Sequence, residues 1–197
     1  EQGHEFEALL VPFKHYFCGA WIRHSGWWPG YTRPQLLKKG RFRYNERLHA
    51  GVAVDGRTLF FPTDDPELAI VHLSYDDLHH YLEKLNRYTD GEAESLLADH
   101  ASHSWQAMLA HLVHDWQAYY EQGRGDLDGM HGFVLALMAG FYRLISRAKL
   151  WDERRKRGEL SGPEPVPANL REALEFMARV LQEGADQWLS PILRLPV

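Results

Sequence analysis

Near residue 75 the spacing of apolar residues switches from the short runs of strands to the three-and-four spacing of helices. Before the switch, Glu7 to Phe17 is apolar and aromatic and is broken by Pro12, and Trp21 to Tyr31 is an aromatic loop punctuated by Gly and Pro. Asp55-Gly56 lies between the β-prone runs Val52-Ala53-Val54 and Thr58-Leu59-Phe60, which predicts a two-residue type I′ hairpin because Gly tolerates positive φ. Pro62 and Pro66 bracket a surface turn, and Leu68 to Leu73 reads as a short buried strand.

After the switch, Ser74 with Asp77 three residues on predicts a helix cap, followed by Leu78, Tyr81, Leu82 and Leu85 on one face. Thr89 with Glu92 repeats the capping pattern and predicts a second helix through about Leu97. A third is predicted over about 100–121, ended by Gly123-Arg124-Gly125, and a fourth from about Asp128 to Arg157, most apolar between Phe133 and Leu144. Gly162 to Pro167 is a Pro-rich linker, and Asn169 caps a last amphipathic helix carrying Leu170, Leu174, Met177, Val180 and Leu181. The expected class is α+β, with a strand- and hairpin-rich N-terminal part followed by a helical region. The expected segments are 1–75, 76–157, a linker at 158–168, and a helix and tail at 169–197.

The chain's 197 residues suffice for one or two domains with a real core. A balance of 22 Lys+Arg against 27 Asp+Glu excludes a generally basic nucleic-acid binder. The single cysteine, Cys18, makes neither an intramolecular disulfide nor a thiolate cluster, which suits a reducing compartment. No apolar run reaches the ~18 residues of a spanning helix. The start, Glu1-Gln2-Gly3-His4-Glu5, has neither an initiator Met nor a signal-peptide pattern and reads as the interior of a longer chain or a processed product.

Seven Trp and twelve His invite a site. Clustered indoles line sugar-binding surfaces and interfaces, and they also fill helical cores. His100, His103, His111 and His114 fall on one stripe if residues 100–121 are helical; that stripe is either a zinc chelate between neighbours or a polar face. His49 and His72 stand beside strand ends, as ordinary histidines or as neutral ligands near a diphosphate or divalent ion. Lys38, Lys39, Arg41, Arg43 and Arg47 form a basic run that is either solvated or faces phosphates or anionic head groups. Asp76-Asp77 opens a helix, where acids suit the macrodipole. Walker, dinucleotide-binding and Gly-x-Ser-x-Gly patterns are missing from the sequence.

Four pieces together resemble a family 2 glycosyltransferase of the bacterial branch that includes lipopolysaccharide-core glucosyltransferases. The first is Val11-Pro12-Phe13-Lys14-His15-Tyr16-Phe17-Cys18-Gly19-Ala20-Trp21-Ile22-Arg23-His24-Ser25-Gly26-Trp27-Trp28-Pro29-Gly30-Tyr31. The others are Lys38 to Tyr44 with Leu48-His49, then His72 to Tyr75 with Tyr81 to Thr89, and Gly125 to Trp151. The likeness covers roughly residues 5–155 and resembles the C-terminal half of such an enzyme.

The resemblance implies a GT-A type sheet whose last strands are here. It also implies inverting, metal-dependent transfer of a sugar from a nucleotide-diphosphate donor to a cell-envelope glycan or lipid-linked acceptor, as in lipopolysaccharide biosynthesis. The Asp-x-Asp that holds Mg²⁺ or Mn²⁺ and the acidic base would both precede residue 1. It further implies His49, or alternatively His72, near the metal, Arg33, Lys38 and Arg43 on the donor phosphates, and Trp27, Trp28 and Tyr31 facing the acceptor sugar. Ala50 stands where the branch tends to have Glu, and Gln35 where Arg is usual. A cytoplasmic protein, peripheral to the inner face of the plasma membrane, is expected. Phe133 to Leu144 would lie on the membrane with Arg143, Arg147 and Lys149 reaching anionic heads, or be a buried core helix. A homodimer would suit the aromatic loop and the last helix. The rival reading is a non-catalytic binding or assembly module that offers its helical tail to a partner.

Overall fold

The computed structural model describes residues 6–30, 34–44, 51–63, 65–160 and 162–184. The fold is α+β, with small sheets in the N-terminal half and four α-helices in the C-terminal half. Two compact units divide at Asp77/Leu78, which moves the expected boundary by two residues.

In the first unit the described strands are β1 (Ala8–Leu10), β2 (Phe13–Phe17), β3 (Ala20–Trp21), β4 (Leu36–Leu37), β5 (Phe42–Tyr44), β6 (Val52–Val54), β7 (Thr58–Phe60) and β8 (Ile70–Tyr75). They form three sheets, ordered β4-β1-β7, β3-β2-β8 and β5-β6. The tight β2–β3 turn sits at Cys18-Gly19, both at positive φ, the conformation that Gly19 adopts without penalty. Pro12 and Phe17, with Ile22, are fully buried.

The predicted Val52–Phe60 hairpin does not form. β6 pairs antiparallel with β5, whereas β7 runs parallel to β1 in a different sheet. Tertiary contacts override the Asp-Gly preference. Asp55 accepts from the Arg41 guanidinium at 3.2 Å, and the Arg57 backbone N–H donates to Glu7 Oε2 at 2.7 Å, so the two sides of the turn are drawn apart. The strand expected over Leu68–Leu73 is shifted to Ile70–Tyr75 and is largely exposed, with Leu73 at 64%. Leu68 instead closes a short 3₁₀ turn that Asp65 caps.

The second unit holds α1 (Leu78–Ala98), α2 (Trp105–Gln117), α3 (Gly129–Lys156) and α4 (Leu170–Glu183). One uninterrupted helix replaces the two predicted over 78–97. Thr89 is buried and its hydroxyl donates back to the Leu85 carbonyl at 2.8 Å, so it bonds inside the helix instead of capping a new one. Asn169 caps α4 as expected, accepting from Glu172 N at 3.0 Å. The region after α2 continues as a π-helical turn, Ala118–Gln122.

Helix α3 packs against α1 and α2, and α4 packs on α2. Ala110, Leu112, Val113, Phe176 and Val180 form a core that Trp105, Leu109, Trp116, Leu144 and Met177 extend. Each fully buried large side chain contributes roughly 1.5–3 kcal/mol. Gly140 permits the close α2–α3 approach, since a Cβ there would stand 2.6 Å from the Leu112 carbonyl oxygen.

Gly125–Lys156 is long and apolar enough by length and composition to cross a membrane, with 28% of its most apolar window buried. Its cations make contacts within the helical unit. Arg143 binds Asp115 and Glu92 at 2.9 Å each, Lys149 binds Asp90 at 2.6 Å and the Asn86 carbonyl, and Arg147 is 3% exposed against His111. Ion pairs to α1 and α2 satisfy Arg143 and Lys149, whereas Arg147 is buried with Nε and Nη1 lacking a hydrogen-bond partner among the described residues.

Candidate functional site

Strand geometry assembles one polar cluster in the first unit. β2 and β8 run parallel with His15 opposite His72, and Ser74 follows His72 by two residues, so all three side chains share a face. His15 Nδ1 lies 2.9 Å from His72 Nδ1 and 3.0 Å from Ser74 Oγ, and Ser74 Oγ lies 2.9 Å from His72 Nδ1. Ser74 is buried and His72 is exposed, so the cluster reaches from the interior to the surface. Here the serine hydroxyl meets both histidines, and α1 begins four residues later at Leu78.

Aromatic rings wall this triangle. Phe13 packs on both imidazoles with centroids 5.6 Å apart, and Trp27 meets His15 edge-on at 5.3 Å. Gly30 closes the far side, where a Cβ would stand 2.4 Å from His15 Nε2. Burial, and then the neighbouring His72, push the His15 pKa down to about 4. His15 is therefore neutral near pH 7 and keeps a lone pair on one ring nitrogen.

Two sides of the triangle are 2.9 Å and the third is 3.0 Å. Ligands on one face of an octahedral cation with bonds of ~2.1 Å are spaced by √2 times that length, about 3.0 Å. Two imidazoles, that of His15 held neutral by burial, and a hydroxyl thus fit part of a divalent ion's shell. Among the described residues no group of three or more His, Cys, Asp or Glu is placed to hold a metal ion, so the carboxylates such an ion prefers would come from outside this cluster.

The aromatic loop carries the other expected contacts. Trp28 packs edge-on against Trp21 at 5.3 Å and is joined to Pro29 by a cis peptide. The Arg23 guanidinium lies 4.4 Å from the Trp21 ring centroid, and the Lys14 ammonium 5.2 Å from it while pairing with Glu67 at 2.7 Å. Trp21 Nε1 and Ser25 Oγ are buried and lack a hydrogen-bond partner among the described residues. The loop therefore keeps unused hydrogen-bonding capacity.

Lys38 is exposed and 3.9 Å from Glu7, and Arg43 is exposed on β5; neither belongs to the histidine cluster. His49, Arg33 and Tyr31 lie outside the described residues. His15 and Ser74 were not singled out from sequence as site residues. The available signal was the His72-x-Ser74 alternation, which places both residues on one face of a strand.

The four-histidine stripe does not exist as such. Helix α2 starts only at Trp105, capped by Ser104, and His100 sits at φ 52° before it. His103 bonds Glu164 at 3.1 Å and Arg154 at 2.6 Å, His111 contacts Arg147, and His114 bonds Asp115 at 2.8 Å. Each of these three is held by its own partner.

No protein-family model matches the chain, and no solved structure matches it.

Proposed function

We propose that this chain is the acceptor-side part of a family 2 glycosyltransferase, moving a sugar from a nucleotide-diphosphate donor to an envelope glycan or lipid-linked acceptor. The observation that carries the reading is the β2–β8 ladder. Two of the resembling pieces, 57 residues apart at His15 and His72, are adjacent parallel strands whose histidines meet. Of the two metal-side candidates, His72 is the described one, at the exposed edge of the cluster with a neutral neighbour behind it.

In this reading the Nδ1 atoms of His15 and His72, with Ser74 Oγ, would together face the cation on the donor diphosphate. A divalent cation bound there would offset the charge developing on the leaving diphosphate. Trp27 and Trp28 shape the aromatic wall against which an acceptor ring stacks, and the open groups of Trp21 and Ser25 suit hydroxyl partners. Lys38 and Arg43, with Arg33, serve the phosphates. The Asp-x-Asp and the base would be supplied by a donor-binding part, on the same polypeptide or on another chain.

The test is titration of UDP-sugars with Mn²⁺ into the polypeptide carrying that donor-binding part, wild type and His72→Ala. The expected result is Mn²⁺-dependent nucleotide binding weakened at least tenfold by the substitution. Equal affinity and equal transfer rates in the two proteins would remove His72 from the site.

The rival reading, a binding module without catalysis, is favoured by one observation. Met130, Phe133, Phe141 and Trp151 are exposed on α3 and lie within about 80° of one another at 100° per residue. That reading predicts no nucleotide binding in the same titration.

A further inference from the structure

We infer that the helical unit carries a separate binding site for a single hydrocarbon chain. A cleft of about 650 Å³ lies between the start of α2, the end of α3 and the segment leading to α4. That volume falls within the ~300–1,000 Å³ typical of small-molecule sites. Its apolar walls are Trp105, Met108, Trp151, Leu160, Pro165 and Val166.

Two of the charged groups that line the cleft are engaged by neighbours. His103 is held between Arg154 at 2.6 Å and Glu164 at 3.1 Å. Arg155 donates to Asp152 at 2.7 and 3.0 Å. Beside these ion pairs and the Gln106 amide, the surface that a ligand meets is two indoles, a thioether and aliphatic carbon. Methylene chains suit such walls, because the thioether of Met108 adapts to irregular shapes and the indole faces cover C–H surface. A charged head group finds no unpaired counter-charge among the described lining residues.

The surroundings suggest how a chain arrives. Trp151 lines the cleft and also ends the exposed apolar face of α3 that begins at Met130. The cleft thus opens where that face meets the exposed Val166. The chain is of acyl or prenyl type, supplied either by a lipid surface or by a dispersed amphiphile. This inference stands whether or not the protein transfers sugar.

Three dodecyl amphiphiles with anionic, uncharged and cationic heads (dodecanoate, dodecyl maltoside, dodecyltrimethylammonium) would be titrated below their micellar concentrations, read by tryptophan fluorescence. All three are expected to bind within about tenfold of one another, each added methylene strengthening binding about three- to four-fold until the cleft is full. Val166→Arg, at a position 73% exposed and so tolerant of change, should weaken all three at least tenfold. Met130→Arg, on the same apolar face but outside the cleft, should leave them unchanged. Sedimentation with phosphatidylcholine vesicles then separates the sources. Loss of wild-type co-sedimentation in Val166→Arg assigns the chain to a lipid surface, and wild type remaining in the supernatant assigns it to a dispersed amphiphile. Binding of only one head type, equal weakening by both substitutions, or no binding overturns the inference.

Discussion

Arg143→Met tests the arrangement of the helical unit most sharply. Its Nε donates to Asp115 Oδ2 and its Nη1 to Glu92 Oε1, both at 2.9 Å, so one guanidinium on α3 joins α1 and α2. Burial disfavours its charge, but Asp115 and Glu92 more than offset this and raise its pKa. Methionine keeps much of the stem and removes the cation hydrogen-bonded to both carboxylates, leaving the Arg147 charge as their remaining counter-charge on α3. Removing one partner of a fully buried pair costs about 3–5 kcal/mol. The Arg143 side chain is 38% exposed, Glu92 21% and Asp115 15%, so solvent screening brings the expected loss to about 2 kcal/mol.

At this size about 2 kcal/mol corresponds to a fall in Tm of roughly 8 °C. Urea unfolding at pH 7 measures the loss. In an Asp115→Asn, Glu92→Gln background the same substitution should cost under about 0.5 kcal/mol. A loss below about 0.5 kcal/mol in the wild-type background, or one unchanged in the double-amide background, would refute the three-helix tie.

Gly140→Ala should lose about 1–2 kcal/mol by urea unfolding despite the better helix propensity of alanine, because the new methyl meets the Leu112 backbone at 2.6 Å. Phe176→Ala, 2% exposed, should lose about 3–5 kcal/mol, and protease sensitivity within α4 would rise as the helix leaves α2; an unchanged melt would mean that α4 does not dock. Burial first and then Arg147 push His111 down to about 3, and burial with His72 pushes His15 down to about 4. Both groups sit below their unfolded value, so unfolded chains bind more protons between pH 6.5 and those values. Stability is therefore complete above pH 6.5 and falls on acidification. His111→Gln should flatten the loss between pH 7 and pH 4.5 by about 1–2 kcal/mol after allowance for partial exposure; an unaltered slope would contradict the assignment.

What could be read from the sequence was whatever is decided locally. The Asn169 cap, the extent of α3 and the change from strands to helices all follow from neighbours a few residues apart, and they hold. Ser74 and Thr89 show the limit. Both begin capping patterns, yet the first hydroxyl meets histidines, one of them 59 residues away in sequence, and the second turns back along α1. Asp55-Gly56 fails as a hairpin for the same reason, since β1 and β5 compete for its two flanks. The histidine stripe rested on carrying helical period back to residue 100, which the Ser104 cap forbids. The His15–His72 meeting depends on the register of a parallel pair, and no local pattern encodes it.

Pulsed electron paramagnetic resonance of Mn²⁺ with UDP on the polypeptide carrying the donor-binding part tests the central proposal most directly. The proposal predicts imidazole nitrogen couplings that require the nucleotide and are reduced in His72→Ala. Mn²⁺ spectra identical in the two proteins, or the same with and without UDP, would contradict it.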